Sequence, residues 1–174
     1  MKEALGWIRD IGIALIIAAI VLAFFKPIII QQESMQPTFY SNDYVIVSKQ
    51  SYKMFGEIEH GDVIVFKSSL MDVEGNAKHL IKRVIGLPGD TIEIVNGYVI
   101  RNGETIEESY VSEQGLSGEM EPVIVEEGKL FVMGDNRRVS QDSRSASIGQ
   151  IEQETIVGKV VIRVFPFNNI KIFS

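Results

Sequence analysis

Thr91-Ile92-Glu93-Ile94-Val95-Asn96-Gly97-Tyr98-Val99-Ile100 decides the fold class. Valine- and isoleucine-rich segments flank an Asn-Gly pair. A two-residue hairpin turn needs positive φ at both central positions, which Asn and Gly tolerate. Asn102-Gly103 repeats the signal and continues the hairpin into a meander. Outward from there, Tyr44 to Ser48, Asp62 to Lys67, Leu80 to Ile85, Leu130 to Met133 and Ile156 to Phe165 are short runs rich in β-branched residues. Residues 107–128 are more polar and read as a loop or insertion on a second lobe. The expected fold is mostly β, an antiparallel barrel-like or two-lobed β-fold with one N-terminal transmembrane helix. Residues 1–26 form the tip and anchor, 27–174 the β-domain, and 91–128 a smaller inserted lobe.

The anchor is read from Leu5 to Phe25. From Ile11 to Phe25 there is no charged or polar side chain. As a helix the 21 residues from Leu5 to Phe25 are roughly 31 Å long, about the thickness of a bilayer core. Trp7 suits one interface, and Lys26-Pro27 is expected to end the helix at the other. A cleaved signal peptide is the competing reading. It lacks an Ala-x-Ala pattern after the apolar run, and Lys26-Pro27-Ile28-Ile29-Ile30 is a poor cleavage region.

Composition narrows the chemistry. The chain has 174 residues, no cysteine and a formal net charge of −6. After the first thirty or so residues there is room for one domain with a proper core. Disulfide frameworks, thiolate zinc sites and cysteine nucleophiles are excluded. An acidic domain without a basic patch is unsuited to nucleic acid. The carboxylates are scattered, with neither His-Glu-x-x-His nor calcium-loop spacing, so no metal and no cofactor is expected. His60 lies in a turn, and His79 alternates with Ile81 and Arg83, so a Ser-His-Asp triad is disfavoured.

Three stretches could carry chemistry. In the first, Ser34-Met35-Gln36-Pro37-Thr38 follows the apolar helix closely. An extended Ile28 to Ser34 would put Ile28, Ile30, Gln32 and Ser34 on one face, as a groove floor ending in a nucleophile. Met35 would pack beside the serine. In the second, Leu80-Ile81-Lys82-Arg83-Val84-Ile85, the period of two places Lys82 between Leu80 and Val84. Desolvation there would lower the amine pKa and make a base able to activate a serine. The alternative is an ammonium that reaches water along a buried stem. Arg83 points to the other face and is expected in a surface ion pair. The third stretch is the polar loop Gly134 to Arg144. Asp142 and Arg144 could brace it and Ser140 could orient a lysine amine, although such a loop taken alone reads as a solvated turn.

Together with Gly61 to Phe66 and Lys82 to Asp90, these stretches resemble the bacterial type I signal peptidases, the leader peptidase family of membrane-bound Ser/Lys proteases. The motifs run in the family's order over essentially the whole chain, and a single anchor with a short insertion is similar to the Gram-positive form. The resemblance implies Ser34 as nucleophile, Lys82 as general base, Ser140 orienting the amine, and Asp142 with Arg144 holding the loop. It also implies removal of signal peptides from exported preproteins after small residues, at the outer face of the cytoplasmic membrane. The partners implied are those signal peptides, the lipid bilayer and the protein-export machinery. Substrate would bind extended between the strand before Ser34 and the strand carrying Lys82, against Ile28, Ile30, Gln32, Met35, Leu80 and Ile81.

The chain departs from the family pattern at two places. Gln32 stands where glycine, serine or threonine is usual, so the oxyanion hole is assigned to the Ser34 backbone N–H with the Gln32 amide. Ser145-Ala146-Ser147 lacks the aromatic residue often found after the last arginine. Two alternatives stay open on the residues alone. A self-cleaving Ser/Lys repressor would need an Ala-Gly or Cys-Gly dipeptide, and neither occurs. A non-catalytic membrane-anchored β-domain binding preproteins would need neither Ser34 nor Lys82.

Overall fold

The structure is a computed structural model that describes residues 2–49 and 58–173. It opens with one helix, α1 (Lys2–Phe24), and continues directly into strand β1 (Phe25–Ile29). From Ile11 to Leu22 the apolar side chains of α1 are exposed on all sides, Leu15 at 66% and Ile16 at 62%. Among the described residues no helix is long and apolar enough to cross a membrane. The side chains of residues 1–5 and 8 lie outside that description, while the helix itself runs unbroken through residue 8. The helix ends at Phe24, one residue short of the expected Phe25 and just before Lys26-Pro27. Lys26 and Pro27 belong to β1, an outer strand, where proline has no ladder hydrogen bond to lose. The orphan carbonyls at the helix end are met by Lys49, whose backbone N–H donates to Phe24 O at 2.8 Å and whose Nζ donates to Leu22 O at 2.9 Å.

The other strands are β2 (Tyr44–Ser48), β3 (Val63–Met71), β4 (Ala77–Gly86), β5 (Thr91–Val95), β6 (Tyr98–Arg101), β7 (Glu104–Thr105), β8 (Met120–Ile124), β9 (Lys129–Met133), β10 (Ile151–Glu152), β11 (Ile156–Phe165) and β12 (Lys171–Ile172). All the recorded pairings are antiparallel. One sheet runs β1-β2-β11-β3-β4-β9-β10, with β12 added beside β11. A second sheet runs β7-β6-β5-β8. Asn96 and Gly97 take φ of 51° and 78°, and Asn102 and Gly103 take 55° and 84°, the left-handed values those turns require. Residues 107–128, expected as a loop or an insertion on a second lobe, contain β8, which pairs with β5 in the smaller sheet.

The long strand β11 sits between β2 and β3, far from either in sequence. Its register slips between Ile156 and Gly158. A Cβ on Gly158 would lie 2.2 Å from Ser48 O, so only glycine permits the approach of β11 to β2 there. Three apolar clusters fill the interior. Val63, Val65 and Ile81 face one, with Ile30, Met35 and Phe39. Ile64, Phe66, Leu80, Val84, Leu130 and Val132 face the second. Ile92, Ile94, Val99, Phe131 and Met133 build the third, under the smaller sheet. Residues 63–66 of β3 and 80–86 of β4 are therefore covered on both faces. That explains their continuous apolar runs and the desolvation of Lys82 and Arg83, whereas Lys67 and Lys78 outside those stretches are exposed.

Candidate active site

Ser34 opens a turn over residues 34–38, after β1 has ended. Gln36 N donates to Glu33 O at 3.1 Å and Phe39 N to Met35 O at 2.8 Å. Met35 and Phe39 are completely buried and fasten the turn to the first cluster. From the other side, Asn136 N donates to Ser34 O at 3.0 Å and Asn136 Nδ2 to Glu33 O at 3.2 Å. The nucleophile candidate is thus held on its backbone by two segments.

Lys82 sits in β4 on the face of Leu80 and Val84, and only 1% of it is exposed. Its Nζ lies 2.7 Å from Ser34 Oγ and donates to its own neighbour, Ile81 O, at 3.0 Å. Burial pushes the amine pKa down from its ordinary value to about 8. The Asp142 and Asp135 charges oppose that fall, and Arg144 assists it. The amine is therefore not a snorkelling ammonium. Ser34, Lys82, Gln32, Glu33, Leu70, Lys78, Leu80, Val139 and Gln141 line one cleft of about 340 Å³.

The Gly134 to Arg144 loop is not a solvated turn. Arg144 grips Asp142 through two bonds, Nε to Oδ1 and Nη2 to Oδ2, each 2.8 Å. Asp142 Oδ2 accepts from Gly134 N at 2.9 Å. Its carboxyl pKa lies below the ordinary value: burial alone would raise it, and Arg144, Ser140 and the Gly134 N–H together outweigh that. Ser140 is not bonded to the lysine amine. Its Oγ is buried against Gly134 without a hydrogen bond of normal geometry, although the hydroxyl lies near enough to Asp142 to help hold that carboxyl low. The Lys82 amine is instead directed by Ser34 Oγ and Ile81 O.

Several expected groove residues lie elsewhere. Ile30, Met35 and Ile81 are buried in the first cluster, and Ile28 packs against it. The physical reason is that the strand stops at Ile29, so the period of two does not carry through to Ser34. Of the six, Gln32 and Leu80 line the cleft.

Arg83 also departs from expectation. It is buried, with Nε 2.8 Å from Asp135 Oδ1 and Nη2 2.6 Å from Asp135 Oδ2. Thr38 Oγ1 donates to the same carboxylate at 2.5 Å, tying the nucleophile turn to the loop. The reason is that Asp135, Thr38 and Tyr110 cover the Arg83 face of β4 and supply its partners away from solvent. Asp135, Thr38, Arg137 and Glu108 were missed by sequence reasoning. The one available signal was an arginine, Arg83, inside an apolar strand, since a buried guanidinium requires a buried counter-charge.

The site thus places a serine hydroxyl in contact with a buried amine whose pKa is depressed. The chain belongs to the signal peptidase family, peptidase S26, whose model matches residues 4–165. It is accordingly an enzyme, a peptidase. Signal peptidase I of Bacillus licheniformis is 36% identical over 95% of this chain and 90% of that protein. Signal peptidase I P of Bacillus subtilis subsp. natto is 38% identical over 98% and 94%. Signal peptidase IB of Staphylococcus aureus is 37% identical over 98% and 94%. The crystal structure of a signal peptidase I from Enterococcus faecalis is 28% identical, with a TM-score of 0.48 over 59% of this chain and 95% of that one.

Proposed function

We propose that this chain is a membrane-anchored serine endopeptidase that removes signal peptides from exported preproteins after small residues, with Ser34 as nucleophile and Lys82 as general base. The observation that carries the reading is the 2.7 Å contact between Ser34 Oγ and the buried Lys82 Nζ. With its amine neutral, Lys82 accepts the Ser34 proton as Oγ bonds to the scissile carbonyl carbon. The resulting ammonium protonates the departing amine when the C–N bond breaks. Water, deprotonated by the same amine, then hydrolyses the acyl-enzyme. Ile81 O, 3.0 Å from Nζ, keeps the charged form aimed at the cleft. Asp142 and Arg144 brace the loop behind the lysine.

Supporting the anchor is α1, which presents apolar side chains to all sides and carries no polar face from Ile11 onward. Its 23 residues extend roughly 34 Å, a length comparable to the thickness of a bilayer core. Ser34 follows Phe24, the last helical residue, by ten positions, which would set the dyad just above the lipid. On this reading the chain crosses the bacterial cytoplasmic membrane once. Residues 1–26 are the anchor, and the catalytic β-domain lies on the extracytoplasmic face, within reach of the export machinery. The substrate would lie extended between the segment preceding Ser34 and β4.

The test compares the detergent-solubilised chain with its Ser34→Ala form on a preprotein carrying a signal peptide. Cleavage by the first and none by the second is expected. Equal cleavage removes Ser34 from the chemistry and favours a non-catalytic binding domain. The oxyanion assignment makes a smaller prediction. Gln32 lines the cleft beside Ser34, so Gln32→Ala should lower kcat by roughly 100-fold, the usual size for one donor, with KM little changed. Unchanged turnover excludes the Gln32 amide and leaves the Ser34 N–H. The sign of the pH dependence follows from the amine. Its free form is the active one and accumulates as pH rises through about 8, so kcat/KM should climb tenfold per unit below that value and level off above it.

A further inference from the structure

Two buried arginines, Arg83 and Arg137, and the half-buried Arg144 surround the dyad, and each is attached on two sides. One attachment is to the catalytic loop. Arg83 holds Asp135, Arg144 holds Asp142, and Arg137 Nε donates to Gly134 O at 3.0 Å. The other attachment is, in every case, to residues 108–117. Arg83 stacks over the Tyr110 ring, 4.0 Å from its centroid. Arg144 Nη1 donates to Ser117 O at 3.1 Å. Arg137 Nη1 donates to Glu108 Oε2 at 2.8 Å and to Ser117 Oγ at 2.6 Å, and Arg137 Nη2 donates to Glu108 Oε1. The Arg137 and Glu108 side chains are 1% and 3% exposed. Tyr110 OH also donates to Glu108 at 3.0 Å.

We propose that residues 108–117 are a strap that positions the catalytic loop against the dyad, with Glu108 its principal positioning residue. A decorative surface loop would not spend a nearly sealed carboxylate on a nearly sealed guanidinium, because desolvating both is costly unless the geometry is well satisfied. Here the pair is closed by Ser117, Tyr110 and Gly134 O. The path to the chemistry is short. Arg137 fixes Gly134 O, Gly134 N fixes Asp142, and a Cβ on Gly134 would come within 2.4 Å of Ser34 O. Releasing the strap lets the loop lift, water reach Lys82, and the amine pKa return toward its ordinary value. The strap thus acts through the dryness of the base and touches no substrate.

This inference depends on Lys82 being the base, and the experiment separates the two. The kcat/KM pH profile is measured for the full chain in detergent and for Glu108→Gln, Glu108→Asp, Ser117→Ala and Glu104→Gln, with folding followed by thermal melting. Glu104 is exposed on β7, outside the strap and the catalytic loop, so Glu104→Gln should match the parent. Glu108→Gln should move the rising limb about one unit alkaline and lose about tenfold at pH 7, with activity recovered at high pH. Glu108→Asp should lie between. If Glu108→Gln does not fold, Ser117→Ala, which deletes one hydroxyl, must show the same alkaline shift on a smaller scale. Loss of activity with an unmoved limb in whichever of these two variants folds overturns the strap. A parent chain with no limb near pH 8 overturns the base assignment instead.

Discussion

Lys82→Met is expected to reduce preprotein cleavage by roughly 10⁴-fold while leaving the protein folded. Both halves of that result follow from where the side chain lies. Lys82 is almost wholly buried between Leu80 and Val84. Methionine has similar length and flexibility and fills the slot without a charge to desolvate, so the melting temperature should hold or rise. Catalysis has no such substitute. The amine serves as base in attack and as acid in departure, and general acid–base assistance contributes roughly 10² to 10⁴-fold. No other base contacts Ser34 Oγ among the described residues. Of the two histidines, His60 is paired with Asp90 at 2.6 Å on the exposed turn, and His79 is exposed on the opposite face of β4 from Lys82. Cleavage within tenfold of the parent rate would show that Lys82 does not move the proton.

Gly134→Ala should also be severe, although it changes no reacting group. The added Cβ would lie 2.3 Å from Ser140 Oγ and 2.4 Å from Ser34 O. The serine side chain can rotate away. The Ser34 carbonyl is backbone and cannot yield without shifting the nucleophile, because Asn136 N and the buried Met35 hold the segment on either side. A displacement approaching 1 Å can cost about 100-fold in rate. Overpacking of this kind costs about 1–3 kcal/mol in stability. The expected outcome is a folded protein with kcat lowered about 100-fold, read by steady-state kinetics beside a urea melt. A normal kcat would show that loop and nucleophile turn are less tightly joined than these distances imply.

The parts legible in the sequence were those that local chemistry determines. Asn96-Gly97 needed nothing beyond its own φ preferences to specify a hairpin, and Lys82 could be assigned a dry environment from Leu80 and Val84 alone. What escaped depends on distant partners. The position of β11 between β2 and β3 is a long-range pairing that no local period encodes. Arg83 was misread because its face of β4 is covered by Asp135, Thr38 and Tyr110, which come from three separate segments. Ile30 was placed in the groove because the strand was expected to continue to Ser34, whereas the strand stops at Ile29 and Ile30 packs in the core. Residues 108–117 read as part of a loop or insertion because their composition is polar. Their buried bonds to Arg137 and Arg144 become visible only once the loop at 134–144 is placed beside them.

The central claim concerns one nitrogen, and its protonation can be observed directly. The chain labelled with ¹³Cε-lysine is titrated by NMR, the Lys82 signal being assigned by its absence in Lys82→Met. A titration midpoint near 8, well apart from the remaining lysines, is the result this account predicts. A midpoint at the ordinary lysine value of about 10.4 would mean that the amine is charged and solvated in the working protein. It could then not serve as the base for Ser34.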